Sequence, residues 1–434
     1  MNTVLTLLPP LALALGAAGL LARIAPRMEG RARVVLTVMV WAFAAFTAAL
    51  GFGVGGVGAQ FPGWQAIGQA AKILFYAAPV VLLITHYVRR QSVSIAAWGG
   101  LAAYGLLLIL AGQVATVPGY SEALLYPVLL ALTGALAVQY VRRTVLLRAI
   151  RGALLALCVG SLVYLVAAPA LATSNPDALL YTAGYAPVGY TNSTIGLSLR
   201  LHGLASHPNT LGYIAAAAML LGLHPALRYR REWAWQGVAL AALFLSQSKT
   251  MWVAAAVALA FRAALQVGTL PPIKRALSHV ALLGAAGAGV LAVALLGSNI
   301  DPGDITLTGR TTLWQVTLGE WTANPLAGYG PQLWYDAYRT AQGYAWAGQA
   351  HNQVVQALGQ AGYLGLLGLL LLLAGLFRAA WLSRVATGGA SLALVALLVV
   401  RGVSETPLRF GLDVGALVLL AVYLVATTPS TQSQ

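Results

Sequence analysis

The stretch GALLALCVGSLVYLVAAPALA (152–172) holds 21 residues and no charge. Coiled as a helix at ~1.5 Å per residue it extends about 30 Å, the thickness of a hydrocarbon core. Its flanks differ in kind: Arg142, Arg143, Arg148 and Arg151 stand before it, and the uncharged-to-acidic run TSNPD follows at 173–177. A segment that is apolar throughout and basic at one end reads as a membrane-crossing helix whose basic end lies in the cytoplasm. Cys158, the one cysteine of the chain, sits inside it, so neither a disulfide framework nor a thiolate metal site is available.

Outward from this stretch the same pattern recurs. Apolar runs near 4–22, 34–51, 66–85, 93–115, 123–141, 207–226, 233–248, 250–267, 279–297, 353–377, 389–404 and 411–427 are bounded by polar residues. Of the 434 residues 59% are hydrophobic and only 8% charged, against roughly 25% charged in a soluble domain. An ordinary water-soluble enzyme is excluded. The expected fold class is all-α: a polytopic bundle of about 12–13 transmembrane helices.

Eighteen of the 25 basic residues fall between alternate runs, in the groups Arg23 to Arg33, Arg89 and Arg90, Arg142 to Arg151, Arg228 to Arg231, Arg262 to Arg275, and Arg378 with Arg384. The positive-inside rule makes those connections cytoplasmic. It places the N-terminus outside and the C-terminus inside; Pro9 and Pro10 interrupt the first run, and a twelve-span arrangement with both ends inside stays open. With no A-x-A-like cleavage site, no removable signal peptide is expected. The formal charge of +15 is then a topology signal and implies no nucleic-acid partner.

Three regions follow: N-terminal helices over 1–172, a second region over 173–428 that contains two long outer loops, 173–206 and 298–352, and a tail at 429–434. Every other connection is short, and long ordered connections are where function concentrates. In the second loop Arg310, Trp314, Leu318 and Trp321 recur at helical spacing, as in an amphipathic helix at the membrane surface. Thr308 or Gly309 would start that helix and Asn324-Pro325 would end it.

The spans beginning near 207, 250, 353 and 411 all run inward, so their positive N-terminal ends converge on the outer side. At those ends stand His207-Pro208-Asn209, Ser248-Lys249-Thr250 and His351-Asn352, with Arg409 before the last span. Capping explains Ser, Asn and Pro there but requires neither His nor Lys. Arg200, Lys249, Arg310, Arg339, Arg401 and Arg409 are outer-side cations, and basic side chains at helix N-termini make an anion site suited to a phosphate or pyrophosphate. The plain alternative for each is anchoring at lipid headgroups or pairing with Glu405, Asp413, Glu320 or Asp336. Cations and a helix terminus favour the neutral imidazole of His351, which could accept a proton. Lys72 is the one charge placed well within a span.

Three stretches together resemble the O-antigen ligase and Wzy-type polymerase superfamily: LRLHGLASHPNTLG (199–212), TGRTTLWQVTLGEWTANPLAGYGPQ (308–332) and AHNQVVQALGQAGYLG (350–365). The shared pattern is an Arg and a Pro-Asn before a helix, a Gly-Arg-x-x-x-Trp helix ending in Asn-Pro-Leu-x-Gly-x-Gly, and His-Asn opening the next helix. The resemblance covers about 190–410. It implies a GT-C-like glycosyltransferase of the bacterial inner membrane with short amphipathic helices in its long periplasmic loop. Such an enzyme takes a glycan from a polyprenyl (undecaprenyl) pyrophosphate carrier to an acceptor hydroxyl on the periplasmic side, with inversion and without metal or cofactor.

By the same resemblance, Arg310 would contact the pyrophosphate and His351 would activate the acceptor hydroxyl or align the reacting groups. Arg200, Asn209, Lys249, Arg409 and Asn352 would bind the diphosphate, with His207, Trp314 and Glu405 in support; Glu405 could orient a cation or His351. Many relatives have Arg where this chain has Lys249, which keeps the charge but loses the two-pronged fork. The partners implied are the carrier-linked glycan donor, a glycan or lipid acceptor and the bilayer. Ligase and polymerase share the donor end, the polymerase joining carrier-linked repeat units of O-antigen or exopolysaccharide. The compact outer loops favour the ligase, and Ser248-Lys249-Thr250 points instead to an exopolysaccharide polymerase. No Asp-x-Asp pair occurs in the chain. A lipid-linked glycan transporter, expected to carry polar groups at mid-membrane and repeated halves, is the rival class. Gly51, Gly53 and Gly56 fit G-x-G-x-x-G but join two membrane helices and follow no strand, which argues against dinucleotide binding.

Overall fold

The computed structural model describes residues 98–119, 126–140, 142–167, 172–174, 200–205, 207–267, 310–344, 347–408 and 414–428. The expected spans 4–22, 34–51, 66–85 and 279–297, Lys72 and Arg409 lie outside these residues. The described chain is mostly helical: α1 (Gly99–Val114), α2 (Tyr126–Tyr140), α3 (Arg143–Ala167), α4 (Pro208–Leu221), α5 (Glu232–Leu245), α6 (Lys249–Val267), α7 (Arg310–Ala323), α8 (Asp336–Ala341), α9 (Gln353–Ser383), α10 (Ala390–Ser404) and α11 (Val414–Ala426). Two short strands, β1 (Thr173–Ser174) and β2 (Arg200–Leu201), pair antiparallel with Thr173 opposite Leu201. Among the described residues α3 and α9 are long and apolar enough to cross a membrane, and α1, α4 and α10 are shorter apolar helices.

The chain divides into two compact units. In the first, built from the described residues of Leu132–Trp252 and Leu412–Thr428, α4 is the central element. Leu211, Tyr213, Ile214 and Ala215 to Ala218 are all at 0% exposure, as expected of a helix apolar on every side. α3, α5 and α11 pack around it.

The basic group at 142–151, expected in a loop, instead forms the first turns of α3. Arg151 is fully buried there. Its Nε donates to the Ala218 carbonyl at 3.2 Å, and Nη1 donates to the Leu227 carbonyl at 2.7 Å and to Glu232 Oε2 at 3.0 Å. Nη2 closes a two-pronged pair on Glu232 Oε1. Helix continues through these arginines because the guanidinium reaches carbonyls that helix ends leave open, so its burial is compensated. Arg148 does the same at the Ala226 carbonyl, at 2.8 Å.

The second unit contains the described residues of Ala96–Ala131 and Val253–Gly411. α1 lies along α9, and α7 and α10 also pack on α9. A Cβ on Gly100 would come within 2.9 Å of the Leu371 carbonyl, and one on Gly368 within 2.8 Å of the Tyr104 ring. Small residues at these two points set the close approach of the helices.

α9, read as one continuous span, is broken at Gly362, whose φ of 57° and ψ of −149° only glycine adopts readily. The backbone groups released by the break are taken up by 325–330, the Pro-Leu-Ala-Gly-Tyr-Gly segment. Tyr329 and Gly330 N–H donate to the carbonyls of Gly359 and Gln360 at 2.8 and 3.1 Å. Tyr363 and Leu364 N–H donate to those of Pro325 and Leu326 at 2.8 and 3.2 Å. Lipid offers no such partners, so a break of this kind survives only against other protein.

Candidate functional site

α7 begins at Arg310 and ends at Ala323, directly before Asn324-Pro325, where the sequence sets its stop. The stripe expected on it is shifted: Leu313 and Thr317 are the buried positions, both at 0%, while Arg310, Trp314, Leu318 and Trp321 are half-buried. A polar residue can be interior here because Thr317 Oγ1 donates to the Leu313 carbonyl at 2.6 Å and accepts from Trp334 Nε1 at 3.0 Å. Leu313, Leu333, Trp334, Tyr338, Ala347 and Ala350 form the core beneath the helix.

That core positions His351. The indole of Trp314 donates to the Ala350 carbonyl at 2.8 Å, and Ala350 N–H donates to Gln356 Oε1 at 2.9 Å. With the residue before it held at both backbone groups, His351 adopts φ of +51°, a left-handed conformation that its surroundings must sustain. Asn352 is the N-cap of α9: its Oδ1 accepts from Val354 and Val355 N–H at 2.9 and 3.0 Å, and its Nδ2 donates to the Val403 carbonyl at 3.1 Å. Both ends of the Asn352 amide are thus engaged within the protein.

Glu405, at the C-terminal end of α10, joins the two residues that the sequence singles out. Arg310 Nη2 donates to Oε1 at 3.2 Å, and Arg310 Nη1 donates to the Ser404 carbonyl at 2.5 Å. His351 Nδ1 lies 3.0 Å from Oε2. A carboxylate only accepts, so Nδ1 carries the proton and, in the neutral ring, Nε2 keeps its lone pair. Gln349 Nε2 donates to the same Oε2 at 2.8 Å. Burial opposes ionisation of Glu405. The hydrogen bond and charge of His351, with the charges of Arg310 and Arg401, outweigh it and hold the carboxyl at about 2. The sequence surrounds His351 with cations; the structure adds an anion pressed against its ring.

The first unit holds a separate polar cluster. Arg200 Nη2 donates to Asn209 Oδ1 at 3.0 Å, and Ser248 Oγ donates to the same oxygen at 3.0 Å. His207 is the exposed N-cap of α4, its Nδ1 accepting from Asn209 N–H at 3.1 Å. Lys249 opens α6 and is exposed. Arg200 and Asn209, expected to act together, are hydrogen-bonded to one another.

Residues 236–370 match the O-antigen ligase family. The matched segment takes in Lys249, Arg310, Trp314, His351 and Asn352, and stops before Glu405. No curated protein matches the chain. The match covers about a third of the chain, whose apolar helices include α3 and α9. Sequence reasoning missed Gln349 and Thr406 around His351 and Glu405. The signal for Gln349 was its place two residues before His351, but a single glutamine in an irregular loop has no periodicity to mark it.

Proposed function

We propose that the chain is a periplasm-facing, multi-pass inner-membrane glycosyltransferase of the ligase type. It moves a glycan from a polyprenyl pyrophosphate carrier to an acceptor hydroxyl, on lipid A-core or a similar lipid, without a metal. The observation that carries this reading is Glu405 dividing its two oxygens between Arg310 and Nδ1 of His351.

In this reading the acceptor oxygen attacks the anomeric carbon as its proton passes to Nε2 of His351. The bond from that carbon to the pyrophosphate oxygen breaks, and the electron pair leaves with the diphosphate, inverting the centre. A guanidinium has five N–H donors, so Arg310 can hold Ser404 and Glu405 and still present N–H to the leaving group. A base so placed contributes about 10²–10⁴-fold in rate. For Arg200, Asn209, His207 and Lys249 we propose a role in holding an anionic group, supported by the hydrogen-bonded cluster and the helix N-termini at 208 and 249.

The test is transfer by purified wild type, Arg310→Ala and His351→Ala added to membranes of a strain deleted for the gene. Both variants should lose transfer while eluting as folded protein; wild-type product from both would refute the assignment. Surface glycans of the deletion strain test the acceptor. Full-length carrier-bound chains absent from the acceptor support a ligase, and single repeats remaining on it identify a polymerase.

A further inference from the structure

We propose that Gln349 is a positioning residue that locks the Glu405 carboxylate in the rotamer at which it holds His351; this rests on the function proposed above. The orientation of the Gln349 amide is fixed by chemistry, because the carboxylate oxygen 2.8 Å from Nε2 can only accept. Its other end, Oε1, accepts the hydroxyl of Thr406, the residue next to Glu405. Gln349 therefore grips the chain at 405 and 406 with both halves of one side chain.

The need for such a grip follows from where Glu405 sits. It follows the last residue of α10 and has extended backbone, with φ of −144° and ψ of 175°. Its side chain has several rotatable bonds, and α10 alone does not select the rotamer that faces His351. Arg310 draws on Oε1, while His351 and Gln349 both draw on Oε2. Without Gln349, Arg310 is free to pull the carboxylate round, and Nδ1 of His351 loses a fixed acceptor. A base misplaced by a fraction of an ångström slows the chemical step and leaves donor binding largely intact.

Gln349→Leu removes both contacts and, with them, the 3.3 Å approach of Nε2 to Nδ1 of His351. Gln349→Glu keeps the shape and an oxygen for Thr406 but sets a second carboxylate against Glu405 in place of the donor, so it displaces the Glu405 rotamer by repulsion and remains informative if the leucine variant fails to fold. Each is compared with wild type, His351→Ala, Glu405→Gln and the Gln349→Leu/Glu405→Gln double variant, using full-length protein and deletion-strain membranes as the source of native donor and acceptor. Both Gln349 variants should lower the maximum rate about 10-fold with half-saturating donor within about twofold. In the Glu405→Gln background the further loss should be under about twofold, because the two act through one contact.

Wild-type maximum rates in the folded Gln349 variants, or losses that multiply in the double variant, would overturn the inference while the His351→Ala loss stands. Undiminished transfer by His351→Ala would instead overturn the catalytic reading beneath it.

Discussion

Trp314 reaches across 36 positions of sequence to hold the Ala350 carbonyl 2.8 Å from its indole nitrogen. The helix that carries Arg310 thereby also fixes the backbone that carries His351, and the two side chains meet again at Glu405. Trp314→Phe keeps a six-membered aromatic ring but removes the donor and part of the indole's contact surface. It should cost at least about 1 kcal/mol of stability, the worth of a single hydrogen bond, and lower the transfer rate more than it changes donor affinity. Thermal unfolding in detergent and a donor titration check the two effects separately.

The ionised Glu405 sets an acid limit on stability. Its carboxyl is held at about 2 against an ordinary 4.5, so the folded state gains from ionisation. That gain is complete above the unfolded value and fades as pH falls through 4.5 toward 2. The difference in melting temperature between wild type and Glu405→Gln should shrink steadily across that window. A difference that stays constant from pH 7 to 3 would contradict the ionised pair.

At the other polar staple, the two partners are not equivalent. The Arg151 side chain is at 0% exposure and that of Glu232 at 22%. Removing the carboxylate strands a buried cation, whereas removing the guanidinium leaves an anion with water nearby and with Tyr229 N–H and Gln236 Nε2 still bound. Glu232→Ala should destabilise by about 3 kcal/mol and Arg151→Met by less, as measured by thermal unfolding in detergent.

Glycine at 362 is required on two counts. Its φ is positive, and an added Cβ would fall 2.4 Å from the Leu326 carbonyl carbon and 2.5 Å from Ala327 N. Neither backbone atom can rotate away. Gly362→Ala should therefore abolish monodisperse protein, whereas Gly375→Ala on the same helix, where the nearest atom is 3.8 Å off, should be tolerated. Size-exclusion profiles of the two variants decide this.

Local rules made part of the architecture legible. The apolar runs give most of the described long helices to within a few residues, α3 excepted, which begins nine residues earlier, and Asn324-Pro325 ends α7 because proline cannot continue it. Arg151 was misread as a loop residue because its helical place depends on Glu232 and the Ala218 carbonyl, partners far off in sequence. The break at Gly362 was hidden for the same reason: AGYLGLLG reads as uninterrupted helix until 325–330 supplies the competing hydrogen bonds. The resemblance pointed to Arg310 and His351 through motif order and to Glu405 as a residue able to orient either, and the structure brings the three side chains together. Gln349 was not readable, since its meaning lies wholly in what it touches.

The interlocked backbones of 325–330 and 359–364 also bear on how segments could be exchanged between related chains. A graft of the polar segment alone would arrive without the helix carbonyls and amides it was shaped to meet, and the recipient helix would be left with an unfilled gap. The smallest transplantable piece runs from Arg310 through the first turns beyond Gly362, so the segment would have to be moved as that whole block.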